Sequence, residues 1–503
     1  MISDPYELFK PIKNQIGKYD PTNIAIVTSR KIHEIEIKPF NLWQGWLPWY
    51  LILLIKWGFQ FEQSQYQQKP FIEKNLTYIV NKIHEFDGAC GSPFIDNEDY
   101  LSLIKYFRTK AFQQFWMQIN IGSWDIARQQ LLFCELTPNH LIQSQFLKTH
   151  NIAIPQFIEL CFILWSWLAK DNRNQIFEPS TLFKNISISE ISVNRFCSTL
   201  SLKPLEVKTF INTQSKLIHN PCFQLLEPSP LEQKPILSLD KEFLVYSRRL
   251  FERTINSYLY DQVKSIGGSE ASDLFAKTLE KYVKKALKSA GLPFFDEVAL
   301  KKVFPKSKVT DFLITLPNCT VIFEVKAIEM RPSVQVFPEN KQLTNELKDN
   351  VIKATIQGFK LATNLFENKK NILNPVTFPP YLMILTYKDL FLGNGQQIWN
   401  EFLFSAVGSE FEKENINSSI IPPDHIIVLS LFEFDILMSI LHKSHNHLNK
   451  ILFTMVKQNS KPKTEKFSFL QHLIPFLDPD PKLPYLDRTF NELTTRILSK
   501  FIK

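Results

Sequence analysis

Cysteine is scarce in this chain of 503 residues, and the six present (Cys90, Cys134, Cys161, Cys197, Cys222 and Cys319) never fall into a Cys-x-x-Cys pair. That spacing excludes the common zinc frameworks and gives no sign of a disulfide scaffold, so reduced cytosolic thiols are expected. Long apolar runs are missing as well. The strongest, residues 47–59 and 157–169, are too short to span a bilayer and are interrupted by Lys56 and Glu159. They read as core helices, and no membrane partner is expected. The stretch MISDPYELFK has an early Asp and no uninterrupted apolar segment, so a secretory leader is not expected and the protein is read as cytoplasmic. No internal repeat stands out, and residues 1–235 carry no motif with chemistry of its own.

What is present is apolar and aromatic. With 44% hydrophobic and 13% aromatic residues the chain can bury several cores, which excludes wholesale disorder, and its length asks for two to four domains. Residues 100–119 and 154–169 show helical apolar spacing. Lys105, Arg108 and Lys110 alternate with aromatic residues there; a helical core with a basic edge is preferred to a nucleic-acid platform. Residues 23–27 and 32–37 read as a small hairpin around Ser29-Arg30. Pro204, Pro221, Pro228, Pro230 and Pro235 interrupt regular structure and place a boundary in that segment. Three regions are therefore expected: a mainly helical accessory domain at 1–235, an α/β domain at 236–432, and a helical C-terminal extension at 433–503. The net charge of +8 is unevenly spread, with nine lysines (277, 281, 284, 285, 288, 301, 302, 306 and 308) against Glu280, Asp296 and Glu297 in one segment. Such a segment is usually a solvated face, and it becomes a polyanion site when a reactive centre lies beside it.

That centre is sought in the two apolar runs 312–316 and 321–323, which flank the polar turn Pro317-Asn318-Cys319-Thr320 and read as a β-hairpin. With Leu316 opposite Val321, Leu313 faces Glu324 and Asp311 faces Lys326. Glu324 and Lys326 share a face, and Asp311 is diagonal to Glu324 at roughly 7–8 Å, close enough for two carboxylates to grip one divalent cation. Asp311 followed by Glu324-Val325-Lys326 on an apolar strand resembles the PD-(D/E)XK nuclease superfamily, the restriction-endonuclease-like fold, over residues 240–432. Thr310 stands where the motif has proline. The resemblance implies an α/β mixed-sheet core in the order helix, hairpin, helix, strand, strand. The matching segments are a helix between Gly267-Gly268-Ser269 and Gly291/Pro293, a helix near 346–366, and strands at 381–386 and 425–431.

By that resemblance the protein is a metal-dependent nuclease acting on DNA in preference to RNA, with Mg²⁺ or Mn²⁺ as cofactor. Asp311 and Glu324 would hold the metal together with the Val325 carbonyl, and Lys326 would orient or deprotonate the attacking water. Glu280 matches the acidic residue on the preceding helix and would help hold a metal or water, and Gln357 matches a glutamine beside the site. Lys281, Lys284, Lys285, Lys288, Lys306 and Lys308 would contact the nucleic acid. Accessory domains on such nucleases point to bacterial antiphage defence or mobile elements, and protein partners or a homo-oligomer are left open.

The plainer alternatives are specific. Glu-x-Lys occurs seven times, at 36, 206, 232, 324, 339, 346 and 367, and only the copy at 324 combines an apolar strand, an aspartate on the partner strand and an upstream acidic helix. The copy at 36, with Asp20 sixteen residues before it, is the strongest decoy. The three charges could form a surface salt-bridge cluster worth about 0–1 kcal/mol per pair, and Glu280 could simply pair with Lys284. A nucleic-acid-binding scaffold without catalysis, or an RNA-cleaving enzyme, are the other functions weighed. The polar connection 327–345, with Arg331 and Lys341, is a candidate substrate contact, whereas His442, His445 and His447 lack the partners of a metal site.

Overall fold

Helix starts are written into the sequence as caps. Asp20 accepts the Thr22 and Asn23 amides, each at 3.1 Å, and Pro21 occupies the first turn, where no N–H is needed. Residues Pro21–Glu36 are therefore one helix, and the hairpin expected at 23–37 does not form. Glu36, the decoy, is not on a strand: its carboxylate accepts the Arg248 amide at 3.0 Å and the Ser247 hydroxyl. Those two groups mark the start of the helical stretch Arg248–Ser289, here α1, which is broken by a kink at Gly268 (φ 60°, ψ −151°), where the sequence places the start of a helix.

The computed structural model describes residues 5–501 apart from 64–68, 96–99, 119–121, 171–174, 216–219, 306, 337–338 and 368–375. The chain divides into two units, residues 1–271 with 488–503, and residues 272–487. This differs from the boundary expected among the prolines, because Pro204, Pro221 and Pro230 each occupy the first position of a helix rather than a linker. In the first unit the helices Pro48–Gln60 and Ile154–Lys170 form the core. Among the described residues, no single helix is long and apolar enough to cross a membrane. Ile236–Leu239 and Glu242–Val245, which lie within the region expected as the α/β domain, form a strand pair of this first unit, in a mixed sheet completed by Ile176–Phe177 and Ser201–Leu202. Arg108 and Lys110 are buried, and Lys110 pairs with Asp87 at 2.5 Å, which removes the basic edge from solvent. Cys90 and Cys222, expected as free thiols, are joined in a disulfide across 132 residues. Helix packing brings them together, which spacing alone could not show.

The second unit is a mixed α/β layer around a five-stranded sheet. In spatial and chain order the strands are β1 (Phe294–Asp296), β2 (Phe312–Leu316), β3 (Cys319–Lys326), β4 (Tyr381–Thr386) and β5 (Ile426–Ser430). The first three run antiparallel and the last three parallel. β4 is buried at every residue and β3 at all but Lys326, as expected of central strands with both faces covered. Residues 272–289 of α1 belong to this unit and end in a left-handed Gly291 (φ 72°), with the Leu292 amide returning to the Leu287 carbonyl at 3.1 Å. His445 closes the same end, its Nε2 lying 2.7 Å from the Ala290 carbonyl oxygen. The helix α2 (Lys353–Glu367) packs on β3 and β4, and α3 (Leu431–Lys443) sets Phe434 against Phe323 on the other face.

Gly358 explains how α2 comes so close. A Cβ at that position would lie 2.5 Å from Leu382 Cδ1, in the fully buried centre of β4. Gly358→Ala should therefore destabilise the protein by about 1–3 kcal/mol, although alanine is the better helix former. Urea unfolding checks the sign, and a more stable alanine variant would contradict this account of the helix contact.

Candidate active site

The hairpin turns more tightly than the apolar runs suggest. Leu316 pairs with Cys319 across the two-residue loop Pro317-Asn318, so the register slides by two residues from the expected one. An even slip keeps every side chain on its face. Its effect is to set Asp311 opposite Glu324 rather than Lys326, because Phe312 already pairs with Phe323.

Asp311 lies just before β2, where pairing has stopped, and its Oδ2 accepts the Val325 amide at 2.7 Å. The Val325 carbonyl faces the same strand edge as its amide and has no β2 residue opposite it. Lys326 Nζ donates to Glu324 Oε2 at 2.6 Å, so the two same-face side chains form an ion pair. Glu324 is 1% exposed, and its other oxygen, Oε1, has no hydrogen-bond donor. The Asp311 carboxyl lies within hydrogen-bonding reach of the Glu324 carboxyl, and two ionised carboxylates can only accept. A proton or a cation must stand between them.

The titration behaviour follows. Burial first, and then the Asp311 charge, push Glu324 up to about 8. Burial also raises Asp311. Glu280, half-buried on α1, is pushed up to about 7 by burial and by Asp311 and Glu297, against the pull of Lys326 and Lys277. Lys326 goes the opposite way to what burial dictates: Glu324, Asp311 and Glu280 hold it above its ordinary value. Glu280, Asp311, Glu324 and Lys326 thus form one electrostatic cluster. Glu280 does not pair with Lys284, which goes instead to Asp296 at 2.6 Å.

Gln357 sits on α2, and its Oε1 is buried without a partner. Leu382 stands opposite Ile322, two residues from Glu324, so α2 covers the face that carries Glu324. Of the expected phosphate contacts, Lys281, Lys288 and Lys308 are exposed, Lys284 is ion-paired, Lys285 is half-buried, and Lys306 lies outside the described residues. Arg331 is tied to Glu346 at 2.5 Å. Glu297 was not singled out by sequence reasoning. It opens the helix Glu297–Val303, pairs with Lys301 at 2.5 Å and raises both Glu280 and Asp311. Its only sequence signal is its place in the charged segment before the hairpin.

Among the described residues, no group of three or more His, Cys, Asp and Glu side chains is placed to hold a metal ion. Asp311 and Glu324 are a pair, and the pair fits a hard divalent cation: two carboxylates, one buried oxygen without a donor, and a backbone carbonyl on the same edge. No protein-family model, curated protein or solved structure matches the chain.

The cluster should make stability depend on pH. Below the ordinary value of 4.5, Glu324 is protonated whether the chain is folded or not. Between there and about 8 the unfolded chain has lost that proton while the folded chain keeps it, so stability falls as pH rises through this window. In chelator, Glu324→Gln should melt with the native protein at pH 4.5. By pH 8 it should melt above the native protein by at least roughly 2–4 °C, about 1 kcal/mol. A gap in melting temperature that stays constant or reverses across this range would remove the buried carboxyl pair as its cause.

Proposed function

We propose that residues 272–487 form a metal-dependent nuclease that hydrolyses phosphodiester bonds, with DNA as the preferred substrate and Mg²⁺ or Mn²⁺ as cofactor. One observation carries the reading: a fully buried glutamate whose one oxygen is held by Lys326, whose other oxygen has no donor from the rest of the protein, and whose carboxyl lies within hydrogen-bonding reach of Asp311, so that the two can meet only over a shared proton or a cation. An exposed cross-strand ion-pair cluster would not bury Glu324 or leave an oxygen unsatisfied. The expected helix, hairpin, helix, strand and strand occur in that sequence, which supports the resemblance to the restriction-endonuclease-like core, although β1 and the helix Glu297–Val303 precede the hairpin and helical residues 395–413 separate the last two strands.

A divalent ion held by Asp311, Glu324 and the Val325 carbonyl would lower the pKa of a bound water and offset charge on the scissile phosphate. The chain's own groups do the rest. Asp311 is aimed by the Val325 amide, which holds its Oδ2. Lys326, held protonated by the carboxylates around it in the metal-free site, would donate to a phosphate oxygen or orient the attacking water. Glu280, with its pKa near neutrality, accepts a proton from water or positions it. Gln357 offers a buried oxygen on the covering helix and would orient water beside the carboxylates.

The second reading, a nucleic-acid-binding scaffold without catalysis, is weaker because Asp311, Glu324 and Lys326 all carry competent side chains. Purified protein should cut DNA in Mg²⁺ or Mn²⁺. Asp311→Ala and Lys326→Ala should each lower the rate at least about 100-fold while far-ultraviolet circular dichroism stays unchanged. A gel-based cleavage assay on single-stranded, duplex and branched DNA and RNA decides. Full activity in Lys326→Ala would retire the assignment.

A further inference from the structure

The basic segment has a geometry that the charge count does not show. On α1, Lys277, Lys281, Lys284 and Lys288 are spaced by four, three and four residues, which places them within an arc of roughly 60° and along roughly 16 Å of helix. Lys277, Lys281 and Lys288 are exposed and take no hydrogen bond or ion pair from the described residues, whereas Lys284 is tied to Asp296. Glu280 lies at the margin of this stripe, one turn after Lys277 and one turn before Lys284. It feels the charge of Lys277 on one side and of Asp311 and Lys326 on the other. The stripe therefore runs past the carboxylate cluster, and three of its four cations take no hydrogen bond or ion pair from the described residues.

We infer that this stripe is the seat for the sugar-phosphate backbone of one strand of duplex DNA, with Lys277, Lys281 and Lys288 as the phosphate contacts, delivering a phosphate to the cluster at Glu280. The inference rests on the nuclease reading and adds to it the form of the substrate. The length of the stripe matches the axial span of roughly five phosphates of one strand at about 3.4 Å each. Grooves that hold single strands combine cations with aromatic platforms for unstacked bases. Along residues 272–308 the exposed large apolar side chains, among the described residues, are Val298 and Val303, and neither is a ring. A partner whose bases are already stacked suits such a surface. Lys277 was not among the residues assigned to nucleic-acid contact from the sequence; its place on the stripe, one turn from Glu280, assigns it here.

The test measures binding apart from cleavage. Fluorescence anisotropy in chelator, on the full chain carrying Lys326→Ala, is run with a labelled DNA duplex, the corresponding single strand and an RNA duplex over a range of salt. The triple variant Lys277→Ala, Lys281→Ala, Lys288→Ala is compared with a charge-matched control, Lys413→Ala, Lys461→Ala, Lys463→Ala, at exposed positions of the same unit. The expected result is tighter binding to the DNA duplex than to either other probe. The stripe variant should bind at least tenfold more weakly than the control, with the slope of log K against log salt reduced by between two and three, at about 0.9 per lost contact. Alanine favours helix at these exposed sites, and an unchanged melting temperature confirms that the variant folds. Equal binding by the two triple variants, or tighter binding to single-stranded DNA or to the RNA duplex, would overturn the inference. Tighter binding to the RNA duplex would also count against DNA as the preferred substrate, but none of these outcomes touches the reading of the cluster as a nuclease centre, which falls separately if the protein with native Lys326 cuts no substrate.

Discussion

A carboxylate buried in the middle of a sheet is the constraint from which the second unit is built. Glu324 sits near the end of β3, with β2 on one side, β4 on the other and α2 over its face. Burying an unpaired ionised carboxylate costs several kcal/mol, and here the compensation is only half complete. Lys326 holds one oxygen, and in the absence of a cation the carboxyl meets Asp311 only over a shared proton. Sequences that need only stability put an apolar residue at such a position. The residual cost makes sense where a ligand repays it, which is why an incompletely satisfied buried group points to function more strongly than the three-letter motif does.

Much of this was legible because the signals were local and redundant. The apolar run before Glu324 marks a central strand, and β4 and β5 were visible as buried runs of β-branched and aliphatic residues. The register was misread because Cys319 and Thr320 look like turn residues, yet they are buried strand positions that continue the pairing to a two-residue loop. The mistake was harmless for the site. A slip of two residues leaves Asp311, Glu324 and Lys326 on one face, whereas a slip of one would have turned Asp311 away.

The misreadings share a cause in residues with two meanings. Proline after a polar residue marks a linker or the first turn of a helix, and at 21, 204, 221 and 230 it does the second. Asp20 and Glu36 imitate the catalytic spacing, but one caps the N-terminus of its own helix and the other the N-terminus of α1. Both signals need a partner distant in sequence to be resolved: the amides that Glu36 accepts are 212 and 213 residues away. Glu297 escaped for the same reason, since only the folded chain sets it beside Glu280 and Asp311. The disulfide between Cys90 and Cys222 is likewise a product of helix packing.

The division of labour between Lys326 and Glu280 follows from the same electrostatics. A lysine that acts as a base must lose its proton near neutrality, which requires burial or nearby cations to dominate. Burial does act on Lys326 in that direction, but Glu324, Asp311 and Glu280 together outweigh it and hold the side chain charged. Glu280 is in the reverse position: burial and two neighbouring carboxylates bring its pKa to about 7, where either protonation state is accessible. In the metal-free site the lysine is therefore the group fitted to donate and the glutamate the group fitted to accept, and a divalent ion between Asp311 and Glu324 would weaken both effects. The assignment also gives α1 two tasks, since the helix that carries the proton acceptor carries the lysine stripe as well.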